Sequence, residues 1–245
     1  MFRSVFAFAL LIAMTSPAAA DTAKDFAEER ERMVREVIAR AHATQMMTGI
    51  SRIDPNVLEA MRTVPRHAFV PEPLRAFSYQ VTPLPLGYGQ NLSSPFIAAL
   101  MLHIAGIEEG DRVFETGTDS GYQAALLAEM GAEVVSIEIV EELANEARVN
   151  LIETGYGQVR TRIGDGFFGW PEGAPYDVVL LKEAVNTIPD PLVEQLAAGG
   201  RIVAPVGSLN GAQELTRITK DEEDGLTRER FLEVRFSPLQ GGERI

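Results

Sequence analysis

A glycine-containing turn in the middle of the chain has the residue types needed to bind a nucleoside-like ligand. Residues 112–115 are expected to form a strand, residues 116–121 read TGTDSG, and a helix is expected from Tyr122. Gly117 and Gly121 let the backbone approach a ligand closely, and the start of the helix presents free N–H groups. In open α/β sheets ligands bind at the carboxyl ends of the strands, which is where this turn lies.

Two acidic side chains follow the next two strand candidates and strengthen this interpretation. Glu138 ends the second strand, where a carboxylate can accept hydrogen bonds from both ribose hydroxyls. Asp165 lies between two glycines after the third strand, where it could hold an adenine amino group. Asp119 stands where a dinucleotide-binding turn has its middle glycine, and its carboxylate would crowd and repel a diphosphate. The turn therefore favours a nucleoside over a nicotinamide dinucleotide.

Strands and helices alternate regularly after residue 111, which predicts an α/β fold with a mostly parallel sheet. The strand candidates are 112–115, 134–138, 159–163, 177–181 and 201–206, and the helix candidates between them are 122–130, 141–153 and 191–198. Two further strand-like runs, 214–219 and 231–236, predict a C-terminal antiparallel hairpin at one sheet edge.

The region before the sheet is expected to contain helices and a long structured loop. The spacing of apolar residues predicts helices at 24–42, 55–62 and 95–105. Residues 64–95 are rich in proline and lack a regular period, and structured loops of this length are usually functional. We expect residues 21–245 to form a single domain, in which residues 21–95 supply the helices and substrate loop and residues 96–245 the ligand-binding core.

The composition limits the chemistry available to the chain. Its 245 residues carry 22 Lys and Arg against 35 Asp and Glu, a net charge of −13 whose field repels nucleic acid. There is no cysteine, which excludes disulfides and thiolate nucleophiles. The histidines His42, His67 and His103 do not share metal-ligand spacing, so no metal is expected.

The first 20 residues have the layout of a secretory signal peptide. Arg3 precedes an uncharged apolar stretch from Val5 to Met14, and Ala18 and Ala20 supply the small residues that signal peptidase needs. An apolar run this short cannot span a bilayer core as a helix. We expect cleavage after Ala20 and a periplasmic or secreted protein without stable membrane insertion. The alternatives are an uncleaved anchor and a cytoplasmic protein with a wrongly chosen start.

With these motifs in view, the chain resembles the protein-L-isoaspartate O-methyltransferase family in segments that other methyltransferases lack. The matching segments are VPRHAFVP at 64–71, PLPLGYGQ at 83–90, SSP at 93–95, GTDSGYQAA at 117–125, GDG at 164–166 and APYD at 174–177. The resemblance implies a Rossmann-like methyltransferase fold, S-adenosyl-L-methionine as cofactor and methylation of L-isoaspartyl residues in damaged proteins, which begins their repair. Isoaspartyl proteins or peptides would be the substrates, and we expect a monomer.

The resemblance also assigns roles to single residues. We predict cofactor contacts from Glu115, Gly117, Thr118, Ser120, Gly121, Glu138, Asp165 and Gly166. Ser93 matches the family's active-site serine, and its hydroxyl can hold the substrate carboxylate; it could also cap the helix that begins at Pro95. That carboxylate is ionised at neutral pH, so methyl transfer needs positioning rather than a strong base. His67 and Lys182 are predicted to help bind substrate.

Several positions depart from the family and cluster around the expected site. Asp119 replaces a glycine, Val81 an aspartate, residues 91–92 a Thr-Ile pair, and Lys182 and Glu183 a small Thr-Ala pair. Lys182 could contact the substrate carboxylate or partly close the pocket, or it could form a solvated pair with Glu183. A divergent or non-catalytic binding protein is therefore the second hypothesis, and a nicotinamide-dependent dehydrogenase the third.

Overall fold

The computed structural model describes residues 17–240, with side chains from Phe26 onward. The predicted signal peptide, residues 1–20, lies outside the described residues except for the backbone of 17–20, which starts a helix. Among the described helices, none combines the length and the apolar character needed to cross a membrane.

Six helices and nine strands make up the described chain, together with short 3-10 segments. The helices are α1 (Pro17–Thr48), α2 (Pro55–Thr63), α3 (Pro95–Ala105), α4 (Tyr122–Glu129), α5 (Glu141–Glu153) and α6 (Asp190–Glu194). The strands are β1 (Leu84–Gly87), β2 (Gln90–Leu92), β3 (Arg112–Thr116), β4 (Glu133–Glu138), β5 (Arg160–Ile163), β6 (Tyr176–Leu180), β7 (Leu196–Gly207), β8 (Gln213–Lys220) and β9 (Leu226–Val234).

Seven of the strands form one sheet in the order β5-β4-β3-β6-β7-β8-β9. The pairs from β5 to β7 are parallel, and β8 and β9 continue the sheet as an antiparallel hairpin. Apolar side chains of the central strands are buried on both faces, as in parallel sheets covered by helices. The predicted α/β Rossmann-like fold with a C-terminal hairpin is confirmed.

Three predicted elements have wrong boundaries, and the first is α1, which spans Pro17–Thr48 rather than 24–42. Residues 191–198 were expected to be helical, but α6 ends at Glu194 and β7 begins at Leu196, which pairs with Tyr176 of β6. Leu196 is buried in the core beneath the sheet, so its packing outweighs the helix propensity of the alanines that follow. The last strand spans 226–234 rather than 231–236, because β9 pairs with β8 from Leu226 onward.

The proline-rich segment before the sheet is ordered by short elements rather than by one long helix. Two 3-10 turns, Arg66–Phe69 and Glu72–Phe77, precede the small antiparallel hairpin of β1 and β2. Helix α3 follows directly, and its N-cap is Ser94, whose Oγ accepts from the Ile97 N–H at 3.4 Å. The suggested cap at Ser93 is thus one residue off, and the Ser93 hydroxyl is not used to cap α3.

Candidate active site

The candidate site lies at the carboxyl edge of the parallel strands, where the turn between β3 and α4 meets the end of β4. Gly117 and Gly121 have φ values of +61° and +92°, a conformation that glycine adopts without steric cost. Asp119 between them has φ +53°, which Asp tolerates better than most residues. The Asp119 N–H donates to Glu138 Oε2 at 2.9 Å and so ties the turn to β4.

Glu138 is held so that its carboxylate can accept further hydrogen bonds. Its Oε1 accepts from the Val140 N–H at 2.9 Å, and its Oε2 accepts from Asp119. Burial raises the pKa of Glu138, and the two N–H donors partly oppose that rise. A carboxylate offers about four lone-pair sites, so ribose hydroxyls can still donate to it.

A narrow cleft runs in front of this turn, with Gly117, Glu138, Gly166, Glu183 and Leu239 in its walls. Its free volume is about 20 Å³, room for roughly one water molecule. A methyl group added at Gly117 would collide with Glu183 Oε1, and one added at Gly166 with the Thr116 side chain. The donor and acceptor set therefore fits a nucleoside, but its entry requires Glu183 or a neighbouring side chain to move.

A larger cavity of about 510 Å³ adjoins the cleft. Ser93 and Lys182 lie in its wall, together with residues of α1 such as Arg40 and residues 232–237 at the end of β9. Three residues, Gln90, Asp119 and Glu183, line both this cavity and the cleft. The two spaces are thus neighbours separated by a wall of three side chains.

Lys182 is the cation of a buried charge cluster between the two spaces. Its side chain is 6% exposed, and its Nζ lies 3.1 Å from Asp119 Oδ2 and 3.4 Å from Glu115 Oε1. Burial alone would lower the pKa of Lys182, but Asp119 and Glu115 together raise it above its ordinary value. The lysine is therefore charged, and its ammonium already has two carboxylate partners rather than a solvated pairing with Glu183.

Glu183 follows Lys182 and stands at the junction of cleft and cavity. Its Oε2 accepts from Thr116 Oγ1 at 2.5 Å, and the same hydroxyl oxygen accepts from the Lys182 N–H at 3.2 Å. Burial raises the pKa of Glu183 to about 8, and nearby Asp119 and Glu138 act in the same direction. The protonated form of Glu183 is consequently favoured at neutral pH.

Ser93 is placed by a buried arginine. Arg66 is fully buried, its Nη2 donates to the Ser93 carbonyl at 2.7 Å, and its Nε donates to the Ser78 carbonyl at 2.8 Å. The guanidinium carbon lies 4.8 Å from the centre of the Tyr122 ring, a cation–π arrangement. Within residues 26–240 no hydrogen bond occupies the Ser93 Oγ, so the hydroxyl is available to a ligand in the cavity.

The structure brings only some of the predicted site residues together. Gly117, Glu138 and Gly166 line the cleft, and Ser93 and Lys182 line the cavity. Asp165 lies beside the cleft, where its Oδ1 accepts from the Phe167 N–H and caps a 3-10 turn.

Besides Asp165, four other predicted cofactor residues and one predicted substrate residue line neither space. Glu115 and Thr118 are fully buried and bond to Ser136, and Gly121 packs against α5. Ser120 lines a separate surface groove. His67 stacks on Phe26 with 4.1 Å between ring centres, and its Nδ1 lies 2.7 Å from Tyr79 Oη. In this structure these five residues lie outside the lining of the cleft and the cavity, and their contacts with a ligand stay a prediction.

Several residues of the site have no sequence signal as ligand contacts. Gln90 ends the matching segment at 83–90, and the sequence assigns it no role. The sequence around Arg66 does not indicate that its guanidinium is buried. Leu239 reaches the cleft because its N–H donates to the Ala184 carbonyl at 2.9 Å and seats the chain after β9 beside β6. Such contacts join residues far apart in sequence.

No group of three potential metal ligands occurs among the described residues.

Solved structures place this fold in a known class. A protein-L-isoaspartate O-methyltransferase superposes with a TM-score of 0.74 at 26% identity, covering 86% of this chain and 66% of the other. A second, from Plasmodium falciparum and in complex with S-adenosyl-L-homocysteine, has a TM-score of 0.71 at 22% identity, covering 88% and 98%. The fold is that of a Rossmann-like S-adenosylmethionine-dependent methyltransferase.

Sequence comparisons narrow the class to a family. The profile of the protein-L-isoaspartate(D-aspartate) O-methyltransferase family matches residues 41–244. Protein-L-isoaspartate O-methyltransferase 2 of Syntrophobacter fumaroxidans is 44% identical over 234 residues, covering 95% of both chains. The enzyme of Gloeobacter violaceus is 49% identical over 183 residues, covering 75% of this chain and 89% of its own. The chain belongs to the protein-L-isoaspartate O-methyltransferase family.

Proposed function

We propose that this protein transfers a methyl group from S-adenosyl-L-methionine to the carboxylate of L-isoaspartyl residues in damaged proteins. The observation that carries the proposal is the adjacency of the two spaces: a cleft with Glu138 at the sheet edge and a cavity with the Ser93 hydroxyl share one wall. Family membership supports the same reaction.

The cofactor would supply a methyl group made electrophilic by its sulfonium. Glu138 would accept hydrogen bonds from the ribose, and Gly117 and Gly166 would let the backbone approach, once Glu183 or a neighbouring side chain has shifted to admit the nucleoside. Ser93 would donate to one oxygen of the substrate carboxylate and orient the other, with its backbone fixed by Arg66. Since that carboxylate is already ionised at neutral pH, the chain needs no general base, only a dry and ordered site.

The assay that tests this proposal measures transfer of labelled methyl from S-adenosylmethionine by the purified protein. An isoaspartyl peptide is the substrate, and the matched aspartyl peptide is the control. Selective labelling of the isoaspartyl peptide is expected. Equal labelling of both peptides, or of neither while cofactor binds, would contradict it.

A second candidate is a cofactor-binding protein of this family with a different substrate. The observation that favours it is the charged wall of Asp119, Lys182 and Glu183 beside the substrate cavity. Lys182 remains a substrate-binding candidate there, because an arriving anion could share its ammonium with Asp119. Unchanged kinetics of Lys182→Thr toward every tested substrate would remove that role, and unchanged kinetics of His67→Ala would do the same for His67.

We further propose export with cleavage after Ala20, on the basis of the N-terminal pattern of charge, apolar run and small residues. Cleavage there would remove only the first four residues of α1, and among the side chains of this helix that the structure describes, from Phe26 onward, Met33 is the first buried one. N-terminal sequencing of protein from the periplasm or medium should begin at Asp21; an intact Met1 in the cytoplasm would contradict export.

Residues 21–245 would act as one methyltransferase domain, with 21–95 as the substrate cap and 96–245 as the cofactor core. We expect a monomer without affinity for nucleic acid, given the net charge of −13. Light scattering during size-exclusion chromatography, with and without added DNA, checks both expectations.

A further inference from the structure

Any group that passes between the cleft and the cavity must pass the side chains that line both. These are Gln90, Asp119 and Glu183. Gln90 is neutral, so the electrostatic character of the passage depends on the two acids and on the charges around them.

The acids of this region differ in how their charge is balanced. Asp119 has Lys182 Nζ at 3.1 Å, and Glu115 has the same ammonium at 3.4 Å and the Ser136 hydroxyl at 2.8 Å. Glu138, farther along the cleft, accepts two backbone N–H groups. Each of these carboxylates is therefore stabilised by a cation or by two donors.

Glu183 is not directly paired with a cation: the Lys182 ammonium forms its ion pairs with Asp119 and Glu115 and acts on the Glu183 carboxylate only from beyond ion-pair distance. Its recorded hydrogen bond comes from the Thr116 hydroxyl, and among residues 26–240 no Lys, Arg or His forms an ion pair with it. Its carboxyl group rests directly against Gly117, in the part of the cleft nearest the cavity. Glu183 is half-buried. A carboxylate there without a directly paired cation is unfavourable, and a cation placed next to it would stabilise it.

We propose that Glu183 selects the charge state of the cofactor: its carboxylate pairs with the positive sulfonium of S-adenosylmethionine and gains nothing from the neutral thioether of S-adenosylhomocysteine. The inference rests on the proposed methyl transfer, in which the sulfonium must reach this passage. Loss of the positive charge on transfer would then weaken the hold on the product and speed its release.

The pKa of Glu183 agrees with this role. With burial raising that pKa to about 8, the group is largely protonated at neutral pH while no cation is near. An incoming sulfonium would stabilise the carboxylate form, and the proton would leave to solvent. Binding of the cation, but not of the thioether, should therefore release protons, which is seen as a buffer-dependent binding enthalpy.

The test is calorimetric titration of both nucleosides into the full protein and into Glu183→Gln, which keeps the shape and removes the charge. We expect the affinity for S-adenosylmethionine to fall about tenfold, with the affinity for S-adenosylhomocysteine changing by less than about twofold. Glu183→Asp should retain most of the preference. Glu36→Gln, a neutralisation in the larger cavity but outside the cleft, should leave the ratio of the two affinities unchanged.

The outcomes separate this inference from the proposed function. If both nucleosides bind and Glu183→Gln changes their affinities equally or not at all, the charge role is wrong while the methyltransferase proposal stands. If Glu183→Ala tightens both equally, Glu183 is a steric plug of the cleft and not a charge selector. If neither nucleoside binds the wild-type protein, both proposals fail. In steady state, Glu183→Gln should raise the KM for cofactor more than it lowers kcat.

Discussion

The two walls of the larger cavity are fixed in place by different physics. On the sheet side, Lys182 is the one ammonium in the described chain that pairs with both Glu115 and Asp119. On the loop side, the Arg66 guanidinium donates to the backbone carbonyls of Ser78 and Ser93. The first wall depends on balance between full charges, and the second on hydrogen bonds to neutral groups. Removing a partner should therefore lower the free energy of unfolding more in the first wall than in the second.

Lys182→Met tests the charge balance and should have the largest effect. It leaves Glu115 and Asp119 without their counter-ion, so we expect the free energy of unfolding to fall by about 3–5 kcal/mol. Urea denaturation measures the change. Arg230→Met is the control, because Arg230 forms an exposed ion pair with Glu214 and its loss should matter by less than about 1 kcal/mol. Equal effects of the two substitutions would contradict the account.

Arg66→Met tests the loop side. Two buried carbonyls lose their donor, which should lower the free energy of unfolding by about 2–3 kcal/mol. Because Ser93 then loses its anchor, kcat/KM for an isoaspartyl peptide should fall while the affinity for S-adenosylhomocysteine stays within about twofold. If stability falls and kcat/KM does not, Arg66 has a structural role only.

The pH dependence of stability tests the environment of Glu183. The pKa of this acid rises from an ordinary 4.5 to about 8 on folding, so the folded state binds more protons between those values. Stability must then decrease as pH rises through this window, by up to about 1.4 kcal/mol per pH unit for this group. The groups around Glu183 also contribute to its pKa. They are Thr116, Asp119, Glu138 and Lys182.

Comparing wild type with Glu183→Gln by urea denaturation at several pH values isolates the contribution of that acid. The difference in unfolding free energy between the two proteins should grow in favour of the variant from about pH 5 to pH 8. A constant difference over that range would show that folding does not raise the pKa of Glu183.

Ser93→Ala tests the smallest group, a single hydroxyl in the cavity. We expect kcat/KM for the isoaspartyl peptide to fall about tenfold, with the free energy of unfolding changed by less than about 0.5 kcal/mol. Ser94→Ala is the neighbouring control, since it removes the cap of α3 and should lower stability by about 1 kcal/mol. A stability loss at Ser93 as large as that at Ser94 would make Ser93 structural.

The alternation of strand and helix patterns in the sequence was enough to predict the sheet, the glycine turn and the position of Glu138, because parallel strands bring their carboxyl ends to one edge. It could not predict which side chains fill that edge. The contacts of Glu183 with Gly117 and of Arg66 with Ser93 join distant segments through packing. The helix cap fell on Ser94 rather than Ser93 for a related reason, since one residue of shift in a loop decides which hydroxyl faces the cavity.

The central claim is that the protein transfers a methyl group from a cofactor in the cleft to an isoaspartyl carboxylate in the adjoining cavity. The most direct measurement is mass spectrometry of an isoaspartyl peptide after incubation with the protein and S-adenosylmethionine, with the methyl position mapped by fragmentation. The account predicts one base-labile methyl ester on the isoaspartyl residue, greatly reduced with Ser93→Ala. A methyl group on any other residue, or none although S-adenosylhomocysteine binds the protein, would contradict it.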